Sequence, residues 1–537
     1  MKTIIYRQEN ILDGKSPIWA MQGEQATHFS AAVNIDPDLS PGLSSTRSMP
    51  SGMIQPIGYT KFSSTLVNGA PMWIMSPQKG TELVYAYLTT GRLISYTAAL
   101  GSETNIGTPT SGAGNGMAYY NNYLYLATPT DVSRYGPLDG TPAIANTFWS
   151  TTLGKTAMVN TTYPSSSSVA YPNHAMHVHT DGALYICDFD STSSTDTTRG
   201  KGIIHKIKTK YGTSGTAHEG AVDDGSAYNV LDLPPGYMPT DIESYGLDLV
   251  ISAVRTTTST LNRGNAALFF WDTISKSFYR QVDVPYTAVT ALLNKNGELY
   301  AFAGNFSTTA VTLKYLGGFS FETVDLIDGG IPPMAGGVMS MGNRVLCGTA
   351  ATWPAGKGVV RSLGYRSATL PGAAVQIPAS MSADGSADVI TAIAYVQQAS
   401  GSIPRMLIGW QSDSTYGIDS VNSSSVTAQF HTQVFQVGKR FRVKKVTVPL
   451  GSTVDSSTNI EVLIRFDNTI GSKILQTINN TNYSGQMTIV YGSPEIDAAT
   501  TAAYIGQSSF AVEFSWSASG AVPIMPGIEI EVETYDD

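Results

Sequence analysis

Residues 287–326 read TAVTALLNKNGELYAFAGNFSTTAVTLKYLGGFSFETVDL. Val289, Ala291 and Leu293 alternate with small or polar positions, the period of a half-buried strand. Asn294-Lys295-Asn296-Gly297 is a turn cluster, and Leu299-Tyr300-Ala301-Phe302 follows as a short apolar run. Val311-Thr312-Leu313-Lys314-Tyr315 alternates again, Gly317-Gly318 turns the chain, and Phe319 to Leu326 completes the unit. Short strands joined by Asn and Gly turns predict a four-stranded antiparallel meander. One meander cannot bury both of its faces, so it needs neighbours of the same kind.

The rest of residues 54–422 supplies them. An apolar strand, an Asn, Asp or Gly turn, a run around Leu-Tyr and a further alternating strand recur. Examples are Gly116–Tyr120 with Tyr123–Ala127, His174–His179 with Ala183–Cys187, Asp241–Tyr245 with Leu247–Ala253, and Gly337–Met341 with Arg344–Cys347. Corresponding strands start near Met117, Met176, Asp241, Ala288, Gly337 and Val389, about every 50 residues, the repeat length of a propeller blade. The expected fold is all-β: a roughly seven-bladed β-propeller. The Ser/Thr/Gly-rich excursions Ser191–Thr198 and Tyr211–Ser226 account for the longer intervals.

Residues 1–53 show little periodicity and many turn dipeptides, but carry Ile18, Trp19, Met21 and Phe29. That mixture predicts an extended N-terminal arm, ordered on an adjacent subunit, with Trp19 and Phe29 as contacts. Residues 423–537 hold longer, cleaner strands. Ile460, Val462, Ile464 and Phe466 share one face; Phe510, Val512, Phe514 and Trp516 another; Ile528, Ile530 and Val532 a third, opposite Glu529, Glu531 and Glu533. These predict a C-terminal β-sandwich, with a bulge near Lys444-Lys445 where the apolar parity slips.

Composition narrows the function classes. A charged content of 14%, with 52 Gly and 28 Tyr in 537 residues, suits turn-rich β structure. A net charge of −9 argues against nucleic acid or an anionic membrane as partner. Cys187 and Cys347 alone make no disulfide framework and read as buried thiols. The opening MKTIIYRQENILDG meets Arg7, Glu9 and Asp13 too early for a signal peptide, and no apolar run is long enough to span a bilayer as a helix.

The densest metal-capable set is His174, His177, His179 and Asp181, of which His177 and His179 would share a strand face. Asp181-Gly182 is also the turn that every unit carries, so the expectation is polar strand positions rather than a metal centre. Nucleophile-elbow, P-loop and dinucleotide fingerprints do not occur. No catalytic set, cofactor or metal is expected. Lys439, Arg440, Arg442, Lys444 and Lys445 form a basic stripe, which reads either as a strand face paired with neighbouring acids or as a subunit contact. In the second reading it meets Glu529, Glu531 and Glu533 of the next subunit in a ring.

Ile11-Leu12-Asp13-Gly14-Lys15-Ser16-Pro17, Asn34-Ile35-Asp36-Pro37 and Ser51-Gly52-Met53-Ile54 lead into the propeller. With that layout the chain resembles structural proteins of tailed-bacteriophage virions, of the tail nozzle or tail-tip type. The resemblance implies a non-enzymatic virion protein made in the host cytoplasm, present as a homo-oligomeric ring around the tail axis with other tail proteins as partners. The alternatives are a glycan- or receptor-binding virion protein, which stacks loop aromatics on host-surface sugars, and a glycan-active propeller enzyme with carboxylates at the central channel.

Overall fold

The computed structural model describes residues 2–8, 14–15, 25–26, 28–33, 35, 58–62, 69–77, 82–97, 103–109, 113–154, 158, 174–190, 200–208, 229–255, 264–305, 309–328, 330–341, 344–351, 357–363, 375–378, 388–396, 405–412, 414–422, 426–451, 453–467, 472–483, 485–490, 505–506, 508–519, 525 and 527–535. The excursions Ser191–Thr198 and Tyr211–Ser226 lie outside them.

The chain is all-β. Four-stranded antiparallel meanders follow one another in sequence, each ordered first strand to fourth. Sheet A holds Pro71–Met75, Glu82–Leu88, Leu93–Thr97 and Glu103–Gly107. Sheet B runs Gly116–Tyr120, Tyr123–Ala127, Val132–Gly136 and Ala143–Ala145. Sheet C has Met176–Val178, Leu184–Asp190, Lys201–Ile207 and Asn229–Pro235. Sheet D is Tyr237–Tyr245, Asp248–Arg255, Ala267–Trp271 and Arg280–Asp283. The stretch quoted first forms sheet E as read: Ala288–Lys295, Glu298–Asn305, Thr309–Gly317 and Ser320–Asp328. Sheet F comprises Val338–Met341, Arg344–Ala351, Lys357–Leu363 and Val375–Pro378.

Sheet G takes Asp388–Val396, Arg405–Ser412 and Thr415–Asn422 from the same region, but its fourth strand is Gly58–Lys61. Lys61 lies opposite Asp419 and Gly58 opposite Asn422. First strands touch in cyclic order from A through G and back to A. The circle is closed by hydrogen bonds between distant parts of the chain, and the architecture is a β-propeller.

Local chemistry sets the hairpins. Tight two-residue turns need positive φ at both central positions. Asn121 and Asn122 supply it at φ 47° and 71°, and Asn296 and Gly297 at 54° and 87°. Between sheets the packing is apolar. Val250, Leu268, Phe270 and Val282 of D meet Val289, Leu299, Ala301 and Leu313 of E. Ile74, Val84 and Ile94 of A meet Ala392, Leu407 and Ile418 of G across the closure.

Beyond sheet G two further sets of strands share one hydrophobic core. One orders Gln25–Ala26, Lys2–Gln8, Ile528–Thr534, Phe441–Pro449 and Gln486–Val490. The other orders His28–Val33, Val426–Thr432, Ser509–Ala518, Thr458–Phe466 and Lys473–Ile478. A parallel bridge between Val33 and Gln376 joins the latter to sheet F. Their shared core includes Val443, Val446, Ile460, Val462, Phe510, Phe514, Trp516, Ile530 and Val532, all essentially inaccessible to water. The bulge read at Lys444-Lys445 is present: Val443 faces Val532, Lys445 faces Glu531, and Lys444 is skipped.

The N-terminal segment departs from the expected arm. Lys2–Gln8 pairs along its whole length with Ile528–Thr534 of the same chain, and His28–Val33 pairs with Val426–Thr432. Tyr6 is buried with its ring 5.2 Å from Phe435 and 5.4 Å from Phe510, and Gln8 accepts from the Gln433 amide. A segment read as part of an extended arm is therefore a strand with a buried alternate set, Tyr6 and Gln8, that only its distant partner makes intelligible.

Candidate functional site

The basic stripe and the acidic strand are neighbours in one sheet. Ile528–Thr534 runs between Lys2–Gln8 and Phe441–Pro449, so its three glutamates face cations on both sides. Glu529 accepts from Arg7 at 3.1 Å, Glu533 from Arg442 at 2.6 Å, and Glu531 from Lys444 at 2.9 Å. The hydrogen bond and charge of Glu531 raise the Lys444 ammonium above its ordinary value. Arg440 lies over the Tyr535 ring at 5.6 Å. Lys439 is exposed, and the Lys445 backbone faces Glu531.

The complementarity expected between subunits is thus met within one chain, because a cross-strand neighbour at sheet spacing outcompetes any contact that must be formed by association. Phe29 lies in a strand, opposite Thr432 and Lys15, and Trp19 falls outside the described residues. These ion pairs are at least partly exposed to water and contribute modestly each. The double variant Lys444→Glu/Lys445→Glu is expected to lower the thermal midpoint slightly and leave the assembly state unchanged in sedimentation. Loss of an oligomer would restore the subunit-contact reading.

The histidine set divides among three surroundings. His174 is buried, with Nδ1 2.9 Å from the Cys187 carbonyl and Nε2 3.1 Å from that of Pro129. Asp181 turns away, accepting from Lys206 at 2.8 Å, Tyr185 at 2.8 Å and the Ala183 amide. Burial opposes its ionisation, but the Lys206 and Tyr185 hydrogen bonds outweigh that and hold it below the usual carboxylate range. His177 and His179 converge instead on Ser244 of sheet D: Nε2 of His177 is 2.7 Å and Nδ1 of His179 2.8 Å from its hydroxyl.

The Leu247 carbonyl, 3.2 Å from His179 Nε2, can only accept, so that nitrogen donates to it. The Ser244 hydroxyl lies between His179 Nδ1 and His177 Nε2. Glu243 Oε1 lies 3.5 Å from His177. Burial lowers His177 to about 4, helped by the neighbouring His179, and raises Glu243 to about 8.

Two residues earlier, Asp241 accepts from the Ile242 amide and, at 2.7 Å, from Leu292 in the next sheet; burial pushes it up to about 7. Thr240 donates to the Val289 carbonyl at 2.6 Å, and Asn294 to that of Ser244 at 2.6 Å. Chemically this is a buried polar relay whose groups join sheets C, D and E. The sequence reading passed over Thr240, Asp241, Glu243 and Ser244 as site residues; the available signal was two adjacent polar pairs within one first strand.

Glu243 and Asp241 have folded values raised above the unfolded ones, so their contribution is complete below about pH 4 and is lost as pH climbs through about 7 and 8. His177, depressed, contributes above its ordinary 6.5 and loses this as pH falls through about 4. The opposing slopes overlap below 6.5. Wild-type stability is therefore expected to fall from pH 6.5 to 8, at a slope of up to about 1.4 kcal/mol per pH unit for each titrating carboxyl. Glu243→Gln should flatten that fall in urea melts across the window; an unchanged slope would refute the assignment.

Comparison with known proteins adds little. No family profile matches the chain, and no curated protein matches it. Among solved structures it is similar to the extracellular domain of a putative hybrid two-component system from B. thetaiotaomicron, at 12% identity and TM-score 0.39, covering 79% of this chain and 47% of that one. The chain thus spans about half of that protein's length. It is also similar to the Myceliophteria thermophila Cps50 (Swd1) β-propeller domain, at 11% identity and TM-score 0.39 over 68% of this chain and 99% of that one. The Neurospora crassa Pan2 WD40 domain matches at 11% identity and TM-score 0.40 over 67% and 95%. Likeness at this level carries no inference about function.

Proposed function

We propose that the protein is a non-enzymatic structural component of a tailed-bacteriophage virion, built as a seven-bladed propeller fused to a C-terminal β-sandwich. Sheets A to G are the blades, spanning residues 58–422. The sandwich takes residues 423–537 together with the N-terminal strands at 2–8 and 28–33. The observation that supports a structural role is the interlocking of the units by strand exchange along the chain. Lys2–Gln8 and His28–Val33 enter the two sandwich sheets, Gly58–Lys61 completes sheet G, and Val33 bridges to sheet F.

The Val33–Gln376 bridge and the two passages of the chain between the units tie the sandwich to the propeller, a property suited to a part that transmits load. The placement in a phage tail rests on the sequence resemblance. Its test is immunogold labelling of purified particles of the phage that encodes the chain. Gold at the tail is expected, and particles that lack the protein would refute the reading.

A further inference from the structure

Four of the first strands carry the same one-residue bulge, which skips Met72 in sheet A, Thr240 in D, Thr290 in E and Thr391 in G. The hydroxyls of two of these threonines fasten their sheet to the next. Thr240 donates to the Val289 carbonyl of E at 2.6 Å, and Thr290 to the Pro333 carbonyl, just ahead of sheet F, at 2.7 Å. Thr391 holds the same place in sheet G, where the residue that corresponds to Val289 is Pro71 of A. Its hydroxyl is closed to water and, among the described residues, has no hydrogen-bond partner.

Further bonds reinforce the fastened seams. Asp241 of D accepts from the Leu292 amide of E at 2.7 Å, and Arg361 of F donates to Asp325 of E, also at 2.7 Å. Between G and A the packing is apolar instead, with Ile74, Ala86 and Ile94 against Ala392, Leu407 and Ile418. Phe62, directly after the strand Gly58–Lys61, touches both sheets. Its amide donates to the Ile418 carbonyl of G at 2.9 Å, and its ring lies 4.9 Å from that of Tyr96 in A.

A buried hydroxyl without an acceptor has lost its hydration, and it regains this when the sheets part. Parting D from E, or E from F, instead gives up hydrogen bonds already formed. Local opening therefore costs less between G and A than at those two seams.

We propose that the seam between G and A is a joint of the propeller, which parts while D, E and F stay together, with Gly58–Phe62 as the clip that limits it. The joint is a property of the isolated chain and does not depend on the virion reading.

Thiol labelling of the full chain tests it. Ala86 of A and Ala301 of E are equivalent positions: each pairs with the second residue after a bulge, Ile74 or Leu292, and each is buried against the preceding sheet. With Ala86→Cys and Ala301→Cys, maleimide labelling read by peptide mass spectrometry should run at least ~10-fold faster at position 86. Adding Thr391→Val should slow labelling at 86 about 10-fold, and adding Thr240→Val should speed it at 301 by a similar factor. Phe62→Ala should speed labelling at 86 and leave 301 as it was. Urea melts confirm that each variant is folded, and valine matches threonine in shape. Labelling at 301 as fast as at 86 overturns the proposal, as does a Thr391→Val variant in which the rate at 86 is unchanged or raised. Absence of labelling at 86 counts with these.

Discussion

Removal of residues 1–33 will unfold the C-terminal sheets while leaving the propeller folded. Lys2–Gln8 fills the edge beside Ile528–Thr534, and His28–Val33 the edge beside Val426–Thr432. Their loss strips two backbone ladders and takes Tyr6 out of a core that it shares with Phe435 and Phe510. Deleting one buried aromatic costs about 3–5 kcal/mol, and each lost backbone hydrogen bond about 1 kcal/mol. Together they rival the roughly 5–15 kcal/mol that holds a domain folded. Gly58–Lys61 remains in place, so sheet G stays closed. Hydrogen exchange gives the readout: amides of residues 426–534 should become fast and those of sheets A to G stay slow. Protection unchanged in both would return residues 1–33 to the role of a free arm. Tyr6→Ala alone should reproduce part of the effect, lowering stability by about 3 kcal/mol.

Gly116→Ala is expected to be among the most damaging single-methyl changes in the propeller. Gly116 opens the first strand of sheet B, and a Cβ there would lie 1.9 Å from the His174 carbonyl oxygen. The obstacle is backbone, itself held by a hydrogen bond from the His174 amide to the Asn115 carbonyl. Sheets B and C must therefore part along a seam that packs Ala118, Tyr125, Met176 and Ile186. The loss should reach about 3 kcal/mol, at the upper end of overpacking costs, and show as a lower urea midpoint. A midpoint within error of wild type would mean that the seam is loose enough to admit a methyl group, against the observed approach.

The candidate polar site was legible only in part. His177 and His179 were read as sharing a strand face; both reach Ser244, although the strand ends at Val178 and His179 follows it. Their partner was misread, because Asp181 is near in sequence while Ser244 and Glu243 arrive from the next sheet. The basic stripe and the acidic strand were likewise seen as complementary. Residue numbers 442 and 533 do not reveal that the two strands lie side by side.

What the sequence by itself determined is everything of short range. Alternation and Asn-Gly turns dictated the meander at residues 288–328, the recurrence of such units, and the buried faces of 460–466 and 510–516. Even the bulge at Lys444 was written in a slip of parity. Tertiary structure alone decided which strands closed the sheets. Gly58–Lys61 pairs with a strand more than three hundred residues away, and Lys2–Gln8 with the opposite end of the chain. The physical reason is that a strand edge offers the same amides and carbonyls to any partner. Side-chain period tells a segment which face to bury, but its neighbour is chosen by the shape of the whole.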